Sequence, residues 1–172
     1  ADSLHLQIEA MKLAFADVYR FVAEPGSMDV TAAQMLDPAY LRERAKLIDM
    51  KQAQDFGAGN PAKGGTVYLT AADERGMMVS FIQSNYMGFG SGVVIPDWGL
   101  SLQNRGHGFS LKAGSPNLVA PGKRPFHTII PAFLTKDGQP VMSFGVMGGN
   151  MQPQGHAQVM VRLADYGQNP QA

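Results

Sequence analysis

Thr66 is the residue whose position points most directly to chemistry. It follows Gly64 and Gly65 where a glycine-rich connector, residues 56–65, gives way to a short apolar stretch. A hydroxyl placed there can attack the preceding carbonyl, and hydrolysis of the resulting ester leaves Thr66 as a new N-terminus. The freed α-amine, with an ordinary pKa of about 8, can then act as base for the same hydroxyl. The competing interpretation is that threonine begins a strand because of its β propensity.

Two glycine-rich segments add candidate binding groups. Gly148 and Gly149 end the segment 145–150 just before a predicted helix. Small residues at such a junction let backbone N–H groups converge on an anion or oxyanion, and the alternative is tight packing between a strand and a helix. Residues 84–92 could present the Ser84 hydroxyl and backbone N–H groups to a substrate, although an ordinary turn explains the same composition.

His127 and Thr128 close a compact polar cluster, residues 123–128, before a predicted strand. His127 could act as a base or contact a substrate, and a hydrogen-bonded structural histidine is the alternative. The chain has 4 histidines, which are dispersed, and no cysteine. The sequence therefore predicts no metal site, no disulfide and no cofactor.

The charge balance restricts the partners. The 172 residues carry 14 basic and 14 acidic side chains, and no run of Lys or Arg forms a local patch. Nucleic acid is therefore not expected as a partner. No apolar run approaches the roughly 20 residues of a membrane helix, so no membrane span is predicted. The sequence does not distinguish a cytoplasmic from a periplasmic location.

Helices are predicted for the first third of the chain, where residues 1–56 hold 15 of the 28 charged residues and one glycine. The first helix carries Glu9 off its apolar face, and a second begins with a capping box formed by Thr31 and Gln34. A third begins with Asp37 as N-cap and Pro38 in the first helical position. The apolar face of the first helix recurs at spacings of three and four residues: Ile8, Met11, Phe15, Val18 and Val22.

Two hairpins are predicted after the connector. Residues 66–72 and 77–83 flank one turn signal, and residues 129–135 and 141–146 flank the turn Lys136-Asp137-Gly138. Apolar residues on both faces of these strands predict a sheet covered on both sides.

The last predicted element is a helix over residues 154–166, with Pro153 at its start and Gly167 just past its end. The chain begins at Ala1 and stops at Ala172 without a closing strand, so we expect a truncated piece of a longer protein.

Several motifs in fixed order resemble the γ-glutamyltranspeptidase family of N-terminal nucleophile hydrolases. They are the opening stretch 5–17, the helix beginning Asp37-Pro38, Thr66, Phe89-Gly90-Ser91-Gly92, Lys123-Arg124-Pro125 and Gly148-Gly149. The resemblance implies an α+β fold, a fragment of a four-layer αββα sandwich with helices first and antiparallel strands after. It assigns residues 1–65 to the C-terminal helical part of a large subunit plus linker, and residues 66–172 to the N-terminal part of the small, catalytic subunit.

The resemblance also implies roles for particular residues. Thr66 becomes the nucleophile and, through its α-amine, its own base. Gly148 and Gly149 match the pair that forms the oxyanion hole, and Ser84 matches a threonine that supports the nucleophile. The implied activity is that of an amidohydrolase or acyltransferase working through an acyl-enzyme ester. The implied partners are a small γ-glutamyl or glutaryl amide substrate and the remainder of the large subunit.

Departures from the family pattern fall on the predicted substrate-binding positions, which are Asn85, Tyr86, Arg105, His127 and Thr128. Tyr86 stands where typical members have asparagine, with Asn85 one place earlier, and His127-Thr128 replaces a pair of serines. Arg105 and Gly108 stand where typical members grip the α-amino group of a γ-glutamyl donor.

Arg105 would repel that ammonium and favour a carboxylate. These substitutions resemble a branch of glutaryl-cephalosporin acylases, and a glutaryl group is a γ-glutamyl group without its amine. Apart from the resemblance, a surface salt bridge is the alternative for Arg105. A hypothesis of another class also stays open: a family member that never matures, or a piece that only packs or binds. We expect the 172-residue chain by itself to be inactive.

Overall fold

A computed structural model describes residues 2–55 and 65–171. The chain divides into two compact units, one drawn from Ala1–Gly59 and Gly108–Phe126 and the other from Asn60–His107 and His127–Ala172. The first unit is mainly helical, and the second contains both predicted hairpins. The predicted connector lies outside the described residues except for Gly65. The division into subunits at residue 66 stays a prediction.

The helices of the first unit confirm the local sequence signals. They are α1 (Asp2–Phe21), α2 (Ala32–Met35) and α3 (Pro38–Ala45). Both hydrogen bonds of the capping box between Thr31 and Gln34 are present, and the Asp37 carboxylate accepts from the Ala39 and Tyr40 N–H groups. No helix in the described ranges has the length and apolarity needed to cross a membrane.

The buried side of α1 differs from the prediction at Glu9. This carboxylate is only 1% exposed, whereas Ile8 is exposed. Glu9 is tolerated there because the Lys12 ammonium lies 2.6 Å away and the Gln54 N–H donates to the other carboxylate oxygen at 3.1 Å. The hydrogen bond from Lys12 also holds the pKa of Glu9 below its ordinary value. A contact with residue 54 has no signature in the local periodicity of the helix.

The strands of the second unit form antiparallel hairpins, as predicted. Strands β1 (Gly65–Ala72) and β2 (Met78–Tyr86) pair, and two short strands, β3 (Val94–Ile95) and β4 (Leu100–Ser101), pair without having been predicted. The pair β5 (Ala132–Lys136) and β6 (Gln139–Phe144) is joined by Asp137-Gly138, both with positive φ, as a two-residue primed turn requires.

The last helix, α4 (Gln152–Met160), begins two residues earlier than predicted and continues as a π-helical turn over Val161–Asp165. Pro153 lies in its first turn, and Gly167 follows its end in the left-handed conformation, as the sequence indicates.

Within the described residues, the prediction that both faces of the sheet are covered is confirmed for one face and stays a prediction for the other. The second hairpin packs on the inner face of the first, where the Ser80 hydroxyl donates to the Phe144 carbonyl at 3.4 Å and the Thr70 and Ser143 hydroxyls hydrogen-bond. The outer face of the first hairpin is exposed by half or more at Val67, Leu69 and Phe81. Apolar composition on two faces identifies surfaces suited to burial, and here only one has a partner among the described residues.

Gly145 is required where the two hairpins meet. A Cβ atom at this position would lie 2.3 Å from the Tyr68 ring. We expect Gly145→Ala to lower the free energy of unfolding by about 1–3 kcal/mol, because the well-packed ring has to move. Urea unfolding measures the change, with Gly26→Ala as control since a Cβ there meets nothing within 4 Å. Equal losses in both variants would contradict this packing argument.

Candidate functional site

Thr66 lies at an irregularity in the β1–β2 ladder. Gly65 pairs with Tyr86, and Val67 pairs with Gln83. One residue of β1, Thr66, is therefore opposite two residues of β2, Ser84 and Asn85. Such a β-bulge interrupts regular pairing and re-aims the side chains around it, and bulges are frequent beside active sites. The sequence-predicted nucleophile and its predicted support thus occupy the same irregular site.

The β2 side of this bulge has an unusual backbone. Tyr86 adopts φ +74°, a left-handed conformation that is costly for a bulky residue. The Ser84 hydroxyl accepts a hydrogen bond from the Tyr86 N–H at 2.9 Å, which stabilises this turn. The Asn85 carbonyl accepts from the Asn104 N–H at 3.1 Å and ties the strand end to the following loop. Ser84 and Asn85 therefore shape the backbone opposite Thr66.

Arg105 lies against Tyr86. Its guanidinium carbon is 5.0 Å from the centroid of the Tyr86 ring, and the residue is only 8% exposed. Within the described parts of the chain Arg105 forms no ion pair, and its Nε has no hydrogen-bond partner. Burial lowers the pKa of this guanidinium below its ordinary value. The alternative of a surface salt bridge is therefore wrong, and the chain holds a buried cation beside the residue that pairs with Gly65.

His107 completes this aromatic and cationic cluster, and the sequence analysis missed it. Its ring centroid lies 6.4 Å from that of Tyr86, at an interplanar angle of 41°. The turn over Arg105–Gly108 brings both residues back to the same tyrosine. The sequence signal that could have indicated His107 was its position two residues after Arg105, within the same short segment.

The Gly148-Gly149 pair lies past the end of β6, outside the ladder. Gly148 has φ +145° and Gly149 has φ +59°, both in conformations that favour glycine. The Gly148 carbonyl accepts from the Met151 N–H at 3.1 Å, so it points into the helix that follows. Because C=O and N–H of a trans peptide point in opposite directions, the Gly149 N–H points away from that helix. Among residues 65–171, neither glycine N–H donates to a backbone carbonyl.

The contacts between the two hairpins indicate the direction in which the chain runs from β6 into this glycine turn. Thr70 of β1 contacts Ser143, and Tyr68 lies where a Cβ of Gly145 would be. Moving two residues back along β1, from Thr70 to Tyr68, therefore corresponds to moving two residues forward in the other segment, from Ser143 to Gly145. The chain beyond Gly145 therefore runs toward the Thr66 end of β1.

The two residues of the predicted binding pair His127-Thr128 have different environments. His127 is exposed, and its Nδ1 accepts from the Ile129 N–H at 3.2 Å. Thr128 is only 3% exposed, and its hydroxyl donates to the Gly149 carbonyl at 2.7 Å. Thr128 is thus bonded to the glycine turn. A direct contact of either residue with a substrate stays a prediction.

The described residues offer no metal-binding cluster of three or more His, Asp or Glu side chains. Two buried polar residues of α4, Gln152 and His156, also escaped the sequence analysis. The sequence signal that could have indicated them was the spacing of four residues between two polar side chains just after the glycine pair, which places both on one face of a helix.

The order of helices followed by antiparallel hairpins agrees with a fragment of the fold of N-terminal nucleophile hydrolases. A family model described as gamma-glutamyltranspeptidase matches residues 1–172, and the chain belongs to that family.

Individual relatives agree with this assignment. A solved cephalosporin acylase from Bacillus halodurans is 56% identical, with a TM-score of 0.87 over 98% of this chain and 31% of that one. The oxamate amidohydrolase proenzyme of Klebsiella pneumoniae is 43% identical over 94% of this chain and 30% of its own length. The glutathione hydrolase-like YwrD proenzyme of Bacillus subtilis is 38% identical over 97% and 31%. The chain thus spans about a third of the length of the relatives it matches.

Proposed function

We propose that this chain is the catalytic junction of a self-cleaving proenzyme, a γ-glutamyltranspeptidase-like amidohydrolase or acyltransferase with Thr66 as nucleophile. The observation that carries the proposal is the bulge that sets Thr66 opposite Ser84 and Asn85. The contacts of Thr70 with Ser143 and of Tyr68 with the position of Gly145 support it, because they direct the chain before Gly148-Gly149 toward the same end of β1. Membership of a family whose relatives are named proenzymes, amidohydrolases and acylases supports it.

Maturation requires two steps at the Gly65–Thr66 peptide bond, a rearrangement to an ester and the hydrolysis of that ester. The Thr66 hydroxyl oxygen attacks the Gly65 carbonyl carbon, the C–N bond breaks, and nitrogen takes the proton to become an amine. Water then hydrolyses the Gly65 ester, which releases a carboxylate at Gly65 and restores the Thr66 hydroxyl. Glycine at position 65 permits the backbone distortion that this attack needs.

Catalysis repeats the same chemistry on a substrate amide. The free α-amine of Thr66 takes the hydroxyl proton as oxygen attacks the substrate carbonyl, and the leaving amine then receives that proton. The acyl group remains on Thr66 as an ester until water or another amine accepts it. The Gly149 N–H, directed away from α4, supplies a donor for the negative charge that develops on the carbonyl oxygen, with the Gly148 N–H as the second.

A glutaryl-type acylase is the second candidate, and Arg105 favours it. A buried guanidinium without an ion-pair partner within the described ranges suits the carboxylate that ends both a glutaryl and a γ-glutamyl chain. The same cation opposes the α-ammonium, which only the γ-glutamyl donor carries. The cephalosporin acylase among the relatives is consistent with this preference.

The decisive experiment uses the full-length protein that carries this sequence. Electrophoresis and N-terminal sequencing should give two chains, the smaller beginning at Thr66, and the mature protein should hydrolyse glutaryl or γ-glutamyl anilide. A protein that stays intact and inactive would favour the hypothesis of a non-maturing binding or packing role.

Gly148→Ala tests the oxyanion turn. A Cβ at this position would lie 2.8 Å from the terminal methyl of Met151, which can move aside, so the strain comes from φ +145°, a backbone conformation that alanine rarely adopts. We expect the displaced turn to lower kcat roughly tenfold with little change in KM, because small misplacements of donors weaken the transition state more than the bound substrate.

The matched control for this variant is Gly76→Ala in the β1–β2 turn, which has φ +83° but open space around a Cβ. It imposes similar backbone strain away from the glycine turn and should leave kcat unchanged. Equal kcat values in Gly148→Ala and wild type would count against the oxyanion role.

A further inference from the structure

The Gly149 carbonyl is fixed by two donors. The Thr128 hydroxyl donates to it at 2.7 Å, and the Gln152 N–H donates to it from the first turn of α4. The peptide that follows Gly149 therefore has a defined orientation. Because Thr128 is 3% exposed, water does not compete readily for this carbonyl, and losing the hydroxyl leaves a buried acceptor short of a donor.

Gln152 ties the same two segments together a second time. It is fully buried, and its Oε1 accepts from the Ile130 N–H at 3.3 Å. Ile130 is two residues beyond Thr128. The segment 128–130, which leads into β5, is thus bonded both to the glycine turn and to the start of α4.

His156 and Gly155 hold α4 in position beneath this connection. The His156 Nδ1 donates to the Gln152 carbonyl at 2.7 Å, and its ring lies 5.3 Å from that of Phe144 at the end of β6. A Cβ on Gly155 would lie 2.6 Å from the Val146 side chain, so the helix approaches the segment after β6 closely. Packing of α4 therefore holds the backbone in place both before and after Gly148-Gly149.

We infer that Thr128 and Gln152 are positioning residues that hold the Gly149 N–H in the orientation needed for an oxyanion. This inference rests on the proposed function, and it gives Thr128 a different role from the substrate contact expected from its sequence position. Neither side chain touches the reacting atoms in this role. They fix the peptide that follows Gly149, while the Met151 N–H, which donates to the Gly148 carbonyl, fixes the peptide that carries the Gly149 N–H. With the peptides on both sides of Gly149 held, the donor is preorganised before the charge develops.

The test compares Thr128→Val, which keeps the shape but removes the hydroxyl, with Thr128→Ser, which keeps the hydroxyl. In the mature full-length protein, with glutaryl anilide or γ-glutamyl anilide as substrate, we expect Thr128→Val to lower kcat roughly tenfold and to change KM by less than about twofold. Thr128→Ser should restore most of the loss. Thr135→Val, which removes a hydroxyl at an exposed position of β5, is the matched control and should match wild type.

Hydrogen exchange of the peptide covering residues 144–152 gives a readout that does not depend on turnover. Exchange should be faster in Thr128→Val than in wild type or Thr128→Ser. A raised KM with unchanged kcat would overturn the inference in favour of a substrate contact, and unchanged kinetics with unchanged exchange would overturn it outright.

Two further outcomes are covered by the same design. If Thr128→Val does not fold, Gln152→Met, which removes the bond to Ile130, is judged by the same split between kcat and KM and by the same exchange measurement. If the wild-type protein has no amidase activity, the proposed function fails, while the exchange comparison still decides whether Thr128 holds the turn.

Discussion

Replacing Thr66 by alanine is expected to leave the full-length protein as one uncleaved chain without amidase activity. The expected loss is complete for both steps, because in the proposed mechanism the same hydroxyl attacks Gly65 during maturation and the substrate carbonyl during turnover. Electrophoresis measures the first step and anilide hydrolysis the second. Thr66→Ser should retain some cleavage and turnover, since it keeps a hydroxyl at the bulge opposite Ser84.

Thr70→Ala is the matched control for that result. Thr70 lies on the same strand, and its hydroxyl contacts Ser143 instead of the bulge. This variant should mature and retain activity, so a loss confined to Thr66 identifies the nucleophile and not a general weakening of β1. Uncleaved Thr66→Ala protein that still hydrolysed substrate would refute the assignment.

Local signals in the sequence predicted most of the secondary structure. Asp37-Pro38 begins α3, Thr31 and Gln34 form the capping box of α2, and Asp137-Gly138 makes the primed turn between β5 and β6. Each of these features depends on a few neighbouring residues, whose backbone preferences and hydrogen-bonding groups act over one turn. A single sequence is sufficient for them.

Features that depend on distant residues were not predictable in the same way. Glu9 is buried because Gln54, which is 45 residues away, donates to it, whereas helical periodicity placed it on the polar side. Apolar composition marks the outer face of β1 and β2 as suited to burial, but it does not identify the segment that covers this face, and no described residue does so. The short strands β3 and β4 contain two residues each, too few for a periodic pattern.

The candidate site shows the same division. Thr66 and Gly148-Gly149 were identified by residue type, position and family resemblance, because glycine beside a hydroxyl or before a helix is a local signal. The bulge that sets Thr66 opposite Ser84, the left-handed Tyr86 and the burial of Arg105 are tertiary features. For Arg105 the difference changes the chemistry, because a solvated surface cation exerts little selectivity and a buried one exerts a great deal.

Arg105→Glu is therefore expected to reverse the donor preference of the mature full-length enzyme. The wild type should show a higher kcat/KM for glutaryl anilide than for γ-glutamyl anilide, because both acyl groups end in a carboxylate and only the γ-glutamyl group brings an ammonium that the buried cation repels. Juxtaposing two like charges at an interface costs several kcal/mol, and about 1.4 kcal/mol corresponds to a factor of ten, so the ratio of the two kcat/KM values should fall about a hundredfold or more. The measurement is that ratio in both proteins.

Two further variants separate the local charge from its side effects. Arg105→Met removes the charge but keeps a long apolar stem against Tyr86, so it should lose most of the glutaryl preference without gaining a preference for γ-glutamyl. Arg75→Glu makes the same charge reversal at a residue whose side chain is 81% exposed in the β1–β2 turn, and it should leave the ratio unchanged because solvent screens that position.

A wild type that prefers γ-glutamyl anilide, with no shift in Arg105→Met or Arg105→Glu, would show that the donor group binds away from Arg105. A shift confined to Arg105 would assign the donor pocket to the loop that packs against Tyr86, the ladder partner of Gly65 at the proposed cleavage site.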